Sequence, residues 1–387
     1  MVRRLLVAAL AAWILIPGAA AAQRAAPPGF LGVVADRAAL DGTVPLETQM
    51  LLIRGVGAGT VGLTFPWVEA QPYRTLAEVP PADAARFVPA ADGTPTDWSR
   101  IDARVRAAAR AGLRVHPVVI AAPTWARLTA SEEFSPPADP AAYAAFAAEL
   151  VRRYGPGGTF WAANPDVPRR EIREWQLWNE PVGGDGDATR SVFWVDDDPF
   201  HVRFVPLMRA GHAAIKAVDP GAKVVLGALV GQSWNTLQLL YDHGVRGTFD
   251  AVALHPYTAR PQNVVRIVRY VRETMTRNGD GSLPIQITEL GWPAFDAPDV
   301  VRLGRRQAAR AQAAWLEETF RLLTEARREL GLELLLWYTW IGRDASDRDA
   351  FDHSGLLRLA GDGRLEAKPA LGAFTDLARA IAAGRVR

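Results

Sequence analysis

Cysteine is absent from this chain of 387 residues. That excludes disulfides, thiolate metal sites and cysteine nucleophiles together, and a core of this size is stable without such staples. An excess of one charge is also lacking. The 44 Lys and Arg stand against 42 Asp and Glu, interleaved along the chain, for a formal net charge of +2. With no basic run, zinc knuckle or RNP-like aromatic pair, nucleic acid is not an expected partner. Long apolar runs are missing too: the stretch from Leu5 to Ile16 falls well short of the ~20 residues that cross a bilayer.

That stretch follows Arg3 and Arg4 and runs through Pro17-Gly18 to Ala20-Ala21-Ala22. A positive start, a short apolar run and a small-residue exit predict a signal peptide over 1–22. The chain is therefore expected to be exported, secreted or periplasmic, without stable membrane insertion once the segment is cut; an uncleaved anchor is the alternative. Residues 23–28 read as a linker and 29–387 as one domain. Hydrophobic residues make up 49% and charged residues 22%, the composition of an ordinary globular protein with a large core.

From Gly29 onward, strand-like apolar runs alternate with helical patterns. Strands are expected at 30–36, 60–67, 113–123, 172–180, 222–229, 249–257, 283–292 and 333–341. Helices are expected at 45–59, 97–112 (capped by Asp97), 139–155 (capped by Asp139, with Pro140 in the first turn), about 200–218, 301–330 and 368–383. Such alternation implies βαβ units and a parallel sheet. Eight strands predict a closed (β/α)8 TIM barrel, a single α/β domain. An open dinucleotide-binding sheet is the competitor, because Gly57-Ala58-Gly59-Thr60-Val61-Gly62 has the GxGxxG spacing. Those glycines follow a helix and precede a strand, the reverse of the dinucleotide turn.

In a parallel barrel, ligands meet the C-terminal ends of the strands. Polar and aromatic residues concentrate there: Trp67 at the end of strand two, Thr124-Trp125 where strand three runs out, Asn179-Glu180 on strand four, His255-Pro256-Tyr257 on strand six, Glu289 on strand seven and Trp340 on strand eight. Two carboxylates on non-adjacent strands would face each other across the barrel mouth. Glycoside cleavage needs such a pair, one acid to protonate the leaving oxygen and another to support or attack the anomeric carbon. No cluster of metal ligands and no phosphate loop points to other chemistry, so no metal and no cofactor is expected. Asp196-Asp197-Asp198 lacks the alternating spacing of a calcium loop and reads as solvated.

The motifs WQLWNEP (175–181), VALHPY (252–257) and ITELGW (287–292), in that order, resemble those of the retaining glycoside hydrolases of the (β/α)8 superfamily called clan A, near families 39 and 5. The resemblance covers nearly the whole chain after the signal segment. It implies a carbohydrate substrate, an oligo- or polysaccharide, with Glu180 as acid/base and Glu289 as nucleophile. It further implies Asn179 on the sugar 2-hydroxyl, Tyr257 on the nucleophile with His255 beside it, and Trp340 as the platform under the sugar.

Two departures stand out. Relatives carry an arginine where this chain has Gly62, with Arg260 as a possible substitute, and a polar residue where it has Val182. The missing cation keeps open a catalytically impaired carbohydrate-binding barrel; a transglycosylase of cell-surface glycans is the third reading. His255 also reads as a satisfied core histidine, and Trp67 and Trp125 equally as rim packing. His116, Trp175, Trp178 and Trp337 read as structural. One expectation is directly measurable: N-terminal sequencing of the exported protein finds a start just after Ala22, and recovery of the intact 1–22 segment would refute cleavage.

Overall fold

The computed structural model describes residues 26–182, 191–294, 304–345 and 349–386, so the predicted signal peptide lies outside it. Eight strands form the centre: β1 Leu31–Val34, β2 Thr60–Pro66, β3 Arg114–Ile120, β4 Glu174–Asn179, β5 Lys223–Val230, β6 Ala251–His255, β7 Ile285–Leu290 and β8 Leu332–Trp337. Each pairs in parallel with its sequence neighbours, and β1 pairs with β8, closing the barrel. The expected (β/α)8 architecture is what the chain adopts. Its strands are buried on both faces and therefore read as near-continuous Val, Leu and Ile runs.

Helices cover the outside: α1 Leu46–Gly55, α2 Ser99–Arg110, α3 Pro140–Tyr154, α4 His201–Val218, α5 Ser233–Asp242, α6 Pro261–Arg277, α7 Gly304–Leu330 and α8 Pro369–Ala382. Asp139 caps α3 as expected, whereas the N-cap of α2 is Trp98 and Asp97 stands one residue before it. Asp139 Oδ1 accepts from the Ala141 N–H at 2.8 Å, and Asp97 Oδ1 from the Ser99 N–H at 2.9 Å. Sequence reading does not place α5 or α6, although α6 buries Val264, Val268, Val271 and Met275 at helical spacing. No described helix is long and apolar enough to cross a membrane.

The N-terminal end of the barrel is closed by a polar network. Lys223 Nζ reaches both oxygens of Glu333 at 2.9 and 2.7 Å, Gln286 donates to Glu174 and Glu333, and Arg114 donates to Glu174 at 3.0 Å. Folding also gathers a charge that the sequence does not announce. Arg114, Arg169, Arg170 and Arg173 line a cavity of about 590 Å³ at this end, with Glu171 and Glu174. The aspartates at 196 and 198 ion-pair with Arg203, and Asp196 is nearly buried rather than solvated.

At the other end, β4 departs from regular geometry. Trp178 has φ +67° and Glu180 φ +40°, conformations that cost about 1–3 kcal/mol each for residues other than glycine. Packing holds them there. The Trp178 ring is fully buried, edge-on to Trp194 at 5.4 Å and to Tyr143 at 5.8 Å, and the Glu180 N–H donates to the Ala228 carbonyl at 3.1 Å. Gly227 on β5 makes room for the turn, because a Cβ there would lie 2.3 Å from the Leu177 carbonyl oxygen and 3.0 Å from that of Trp178. Gly227→Ala is expected to lower stability by roughly 1–3 kcal/mol and to shift Glu180. A thermal melt and a crystal structure would test this; unchanged stability with unchanged β4 geometry would refute it.

Candidate active site

The C-terminal ends of the strands surround a cavity of about 630 Å³. Asn179, Glu180, His255 and Glu289 line it, together with residues that sequence reading left out: Asp36 and Tyr338. The bend at Trp178 and Glu180 explains why an apolar strand can finish on Asn-Glu. Asn179 keeps its ladder partner Ala228 and the Glu180 N–H donates to the same residue's carbonyl, so the strand stays paired to its end while both side chains line the cavity.

Glu180, His255 and Glu289 form one cluster. Their nearest nitrogen and oxygen atoms all lie within 4.8 Å of one another. His255 is fully buried on β6; its Nδ1 sits 2.5 Å from Glu180 Oε1 and 3.5 Å from Glu289 Oε2, and its Nε2 is 3.1 Å from Thr288 Oγ1. Tyr257 donates to Glu289 Oε2 at 3.0 Å. Asn179 is buried at the cavity wall, its amide oxygen 3.5 Å from Gln176 Nε2. His116 is buried lower in the barrel with Nε2 against Gln176 at 3.2 Å, and burial holds its pKa below the usual imidazole value.

The electrostatics follow from burial. Desolvation pushes the Glu289 pKa up to about 7, and the negative charges of Glu180 and Asp36 add to this; His255 and the Tyr257 hydroxyl oppose it. Burial disfavours a charged His255, but the charge of Glu289 and the hydrogen bond and charge of Glu180 prevail, so its pKa is raised. Burial and the neighbouring acids also push Tyr257 well above the usual phenol range, which leaves it a donor. The imidazole nitrogen and two carboxylate oxygens form a donor set that a divalent cation accepts. Such an ion would have to displace the His255–Glu180 hydrogen bond.

Several expected residues lie elsewhere. Trp340 is 1% exposed, packed in the main core, and does not line the cavity. β8 stops at Trp337, so the in–out alternation ends there and Tyr338, not Trp340, is the aromatic residue this strand end contributes to the cavity. Trp67 begins a short helix, Trp67–Ala70, that turns its ring inward. There it stacks on Phe146 at 5.7 Å and meets Trp125 edge-on at 5.4 Å. The indole N–H groups of Trp67 and Trp125 are both taken by Gln71, and neither ring lines the cavity. Both are rim packing. Trp175, Trp178 and Trp337 are fully buried, as read.

Arg260 is exposed at the start of α6 and is not a cavity residue, so it does not replace the missing arginine. At Gly62 a Cβ would meet Leu336 Cδ1 at 3.0 Å and Val34 Cγ2 at 3.3 Å, so hydrocarbon fills the space where an arginine stem would start. A basic group that does face Glu289 is His255, with Nδ1 3.5 Å from Oε2. Asp36, at the end of β1, accepts from Tyr338 Oη and Thr339 Oγ1, both at 2.6 Å, and burial raises its pKa against those hydrogen bonds. Its signal was present in the sequence: the predicted first strand ends on this aspartate, as strands four and seven end on glutamates.

No family model matches the chain, and no curated relative matches it in sequence. Solved structures do. A family 39 glycoside hydrolase from Bacteroides cellulosilyticus WH2 superposes with a TM-score of 0.59 at 19% identity, over 92% of this chain and 64% of that one. A monomeric β-xylosidase from Caulobacter crescentus CB15 gives 0.60 at 17% identity, over 92% and 69%. A family 5 enzyme from Streptomyces cattleya, in complex with Manβ1-4GlcNAc, gives 0.57 at 18% identity, over 92% and 81%. The fold is that of the (β/α)8 glycoside hydrolases. This chain spans just under two thirds of the first of these proteins.

The charge balance around Glu289 is open to measurement. Its carboxyl carbon, followed by carbon-13 NMR, is expected to titrate near pH 7, and His255→Asn should move the midpoint higher because an opposing basic group is lost. A midpoint near the ordinary glutamate value of 4.5 would overturn this account.

Proposed function

We propose that the protein is a retaining β-glycoside hydrolase, exported from the cell, with Glu289 as nucleophile and Glu180 as acid/base. The observation that carries the reading is the approach of the β4 and β7 carboxylates, one oxygen of each within 4.8 Å of the other. Double displacement uses carboxyl groups ~5–5.5 Å apart, whereas inversion needs ~6.5–9.5 Å to admit a water. The fold shared with known glycoside hydrolases and the strand positions of both glutamates support the same reading.

In this mechanism Glu289 attacks the anomeric carbon and forms a glycosyl ester, while Glu180 gives its proton to the departing oxygen. Glu180 then takes a proton from water, which attacks the same carbon and releases the sugar with its configuration retained. Tyr257 fixes the nucleophile through its hydrogen bond. Asn179 is positioned for the sugar 2-hydroxyl, and Tyr338 supplies the aromatic surface first assigned to Trp340. His255 bears on the carbohydrate-binding alternative: an imidazole whose pKa the two acids raise lies within 3.5 Å of both, so the glycine at 62 does not leave the nucleophile without a basic neighbour. The expectation of a carbohydrate substrate stays part of the proposal.

Glu289→Gln is expected to reduce turnover of aryl β-glycosides by at least roughly 10³-fold with an unchanged circular dichroism spectrum. Glu180→Ala should lose about 10²–10⁴-fold on alkyl leaving groups and much less on dinitrophenyl ones, which depart without a proton. Equal losses on both would reject Glu180 as the acid. Proton NMR of the first-formed sugar should show the β anomer; an α product would reject retention.

A further inference from the structure

The side of the cavity next to Glu180 is made of two tethered loops. Ser191 Oγ donates to the Glu180 carbonyl, and the Trp178 indole N–H donates to the Phe193 carbonyl at 2.6 Å. The Val195 N–H reaches the Phe134 carbonyl at 3.3 Å, and the Phe134 and Phe193 rings meet edge-on at 5.1 Å. The segment's polar groups are thus spent on holding it against β4. What it presents to the cavity is hydrocarbon: Val192, 74% exposed, with half-buried Phe193 and Phe134. Glu133, on the exposed rim, is the one charged residue described in this wall.

Single exposed apolar residues are ordinary on a protein surface. Three together, fixed by hydrogen bonds at the mouth of a cavity and beside its proton donor, are not. In a retaining glycosidase the group next to the acid/base is the leaving group. We infer that this side of the site receives an apolar aglycone, an aryl or alkyl group, rather than a further sugar unit. The inference rests on the proposed roles of Glu180 and Glu289 and narrows the substrate to a glycoside with an apolar aglycone. A sugar ring set against Val192, Phe193 and Phe134 would surrender water from its hydroxyls and find no partner among the described side chains of this wall except Glu133. An alkyl chain loses nothing of the kind and is itself withdrawn from water.

The test uses methyl, butyl, hexyl and octyl β-glucosides, β-xylosides and β-mannosides below their micelle concentrations. Binding is measured by calorimetry on Glu289→Gln, and kcat/KM on the unmodified protein, with cellobiose, xylobiose and mannobiose as comparators. Affinity should rise roughly two- to four-fold per methylene over the first several carbons, and octyl glycosides should bind more tightly than the disaccharides. Val192→Asn, a change at an exposed position, should flatten that dependence. Equal affinity along the alkyl series, tighter binding of disaccharides, or no binding of any member overturns the inference. Chain-length-dependent binding with no turnover of any glycoside upholds the apolar wall and rejects the hydrolase reading instead.

Discussion

Glu180 and Glu289 share one imidazole in a space mostly shut off from water. Two carboxylates this close, buried and without a counter-charge, cannot both stay ionised. His255, within 3.5 Å of both and hydrogen-bonded to Glu180, is the basic group set against them, and their charges raise its pKa. The remainder of the mouth is arranged around that balance. Tyr257 donates to Glu289, Asp36 is held by Tyr338 and Thr339, and hydrocarbon from Leu336 and Val34 occupies the space beside Gly62. A single imidazole does not offset two buried acids fully, which is why burial still lifts Glu289 to about 7.

The barrel makes this arrangement rigid at both ends. Below, Lys223, Glu333, Glu174, Gln286 and Arg114 pair among themselves and tie five strands together. Above, the strain at Trp178 and Glu180 survives because packing over-determines it. The Trp178 ring is enclosed by other aromatics and Gly227 gives the bent backbone room. The same indole fixes Phe193, so one tryptophan couples the position of the acid to the shape of the adjoining wall.

Where sequence reading succeeded or failed has a physical pattern. Glu180, Glu289, His255 and Tyr257 were legible because strand ends in a parallel barrel face the ligand, and a carboxylate ending an apolar run has few other uses. Asp36 follows the same rule and was overlooked, since the first strand carries no accompanying motif. Trp340 lies away from the cavity because the strand expected to carry it stops three residues earlier, at Trp337. α6 went unread although its apolar spacing is plain, while α5 is shorter. The basic cavity at the N-terminal end was invisible because its arginines come from β3 and the segment before β4, separated in sequence.

The sequence by itself determined the alternation of strands and helices, the closed parallel barrel that follows from it, and the strands on which the two glutamates sit. Those are consequences of local periodicity and chain order. Tertiary structure alone decided which basic group faces Glu289, that Tyr338 rather than Trp340 reaches the cavity, and that Val192, Phe193 and Phe134 form one wall beside the acid. Each of these depends on distances between residues far apart in the chain, and so on how side chains from different strands and loops divide the space inside the barrel.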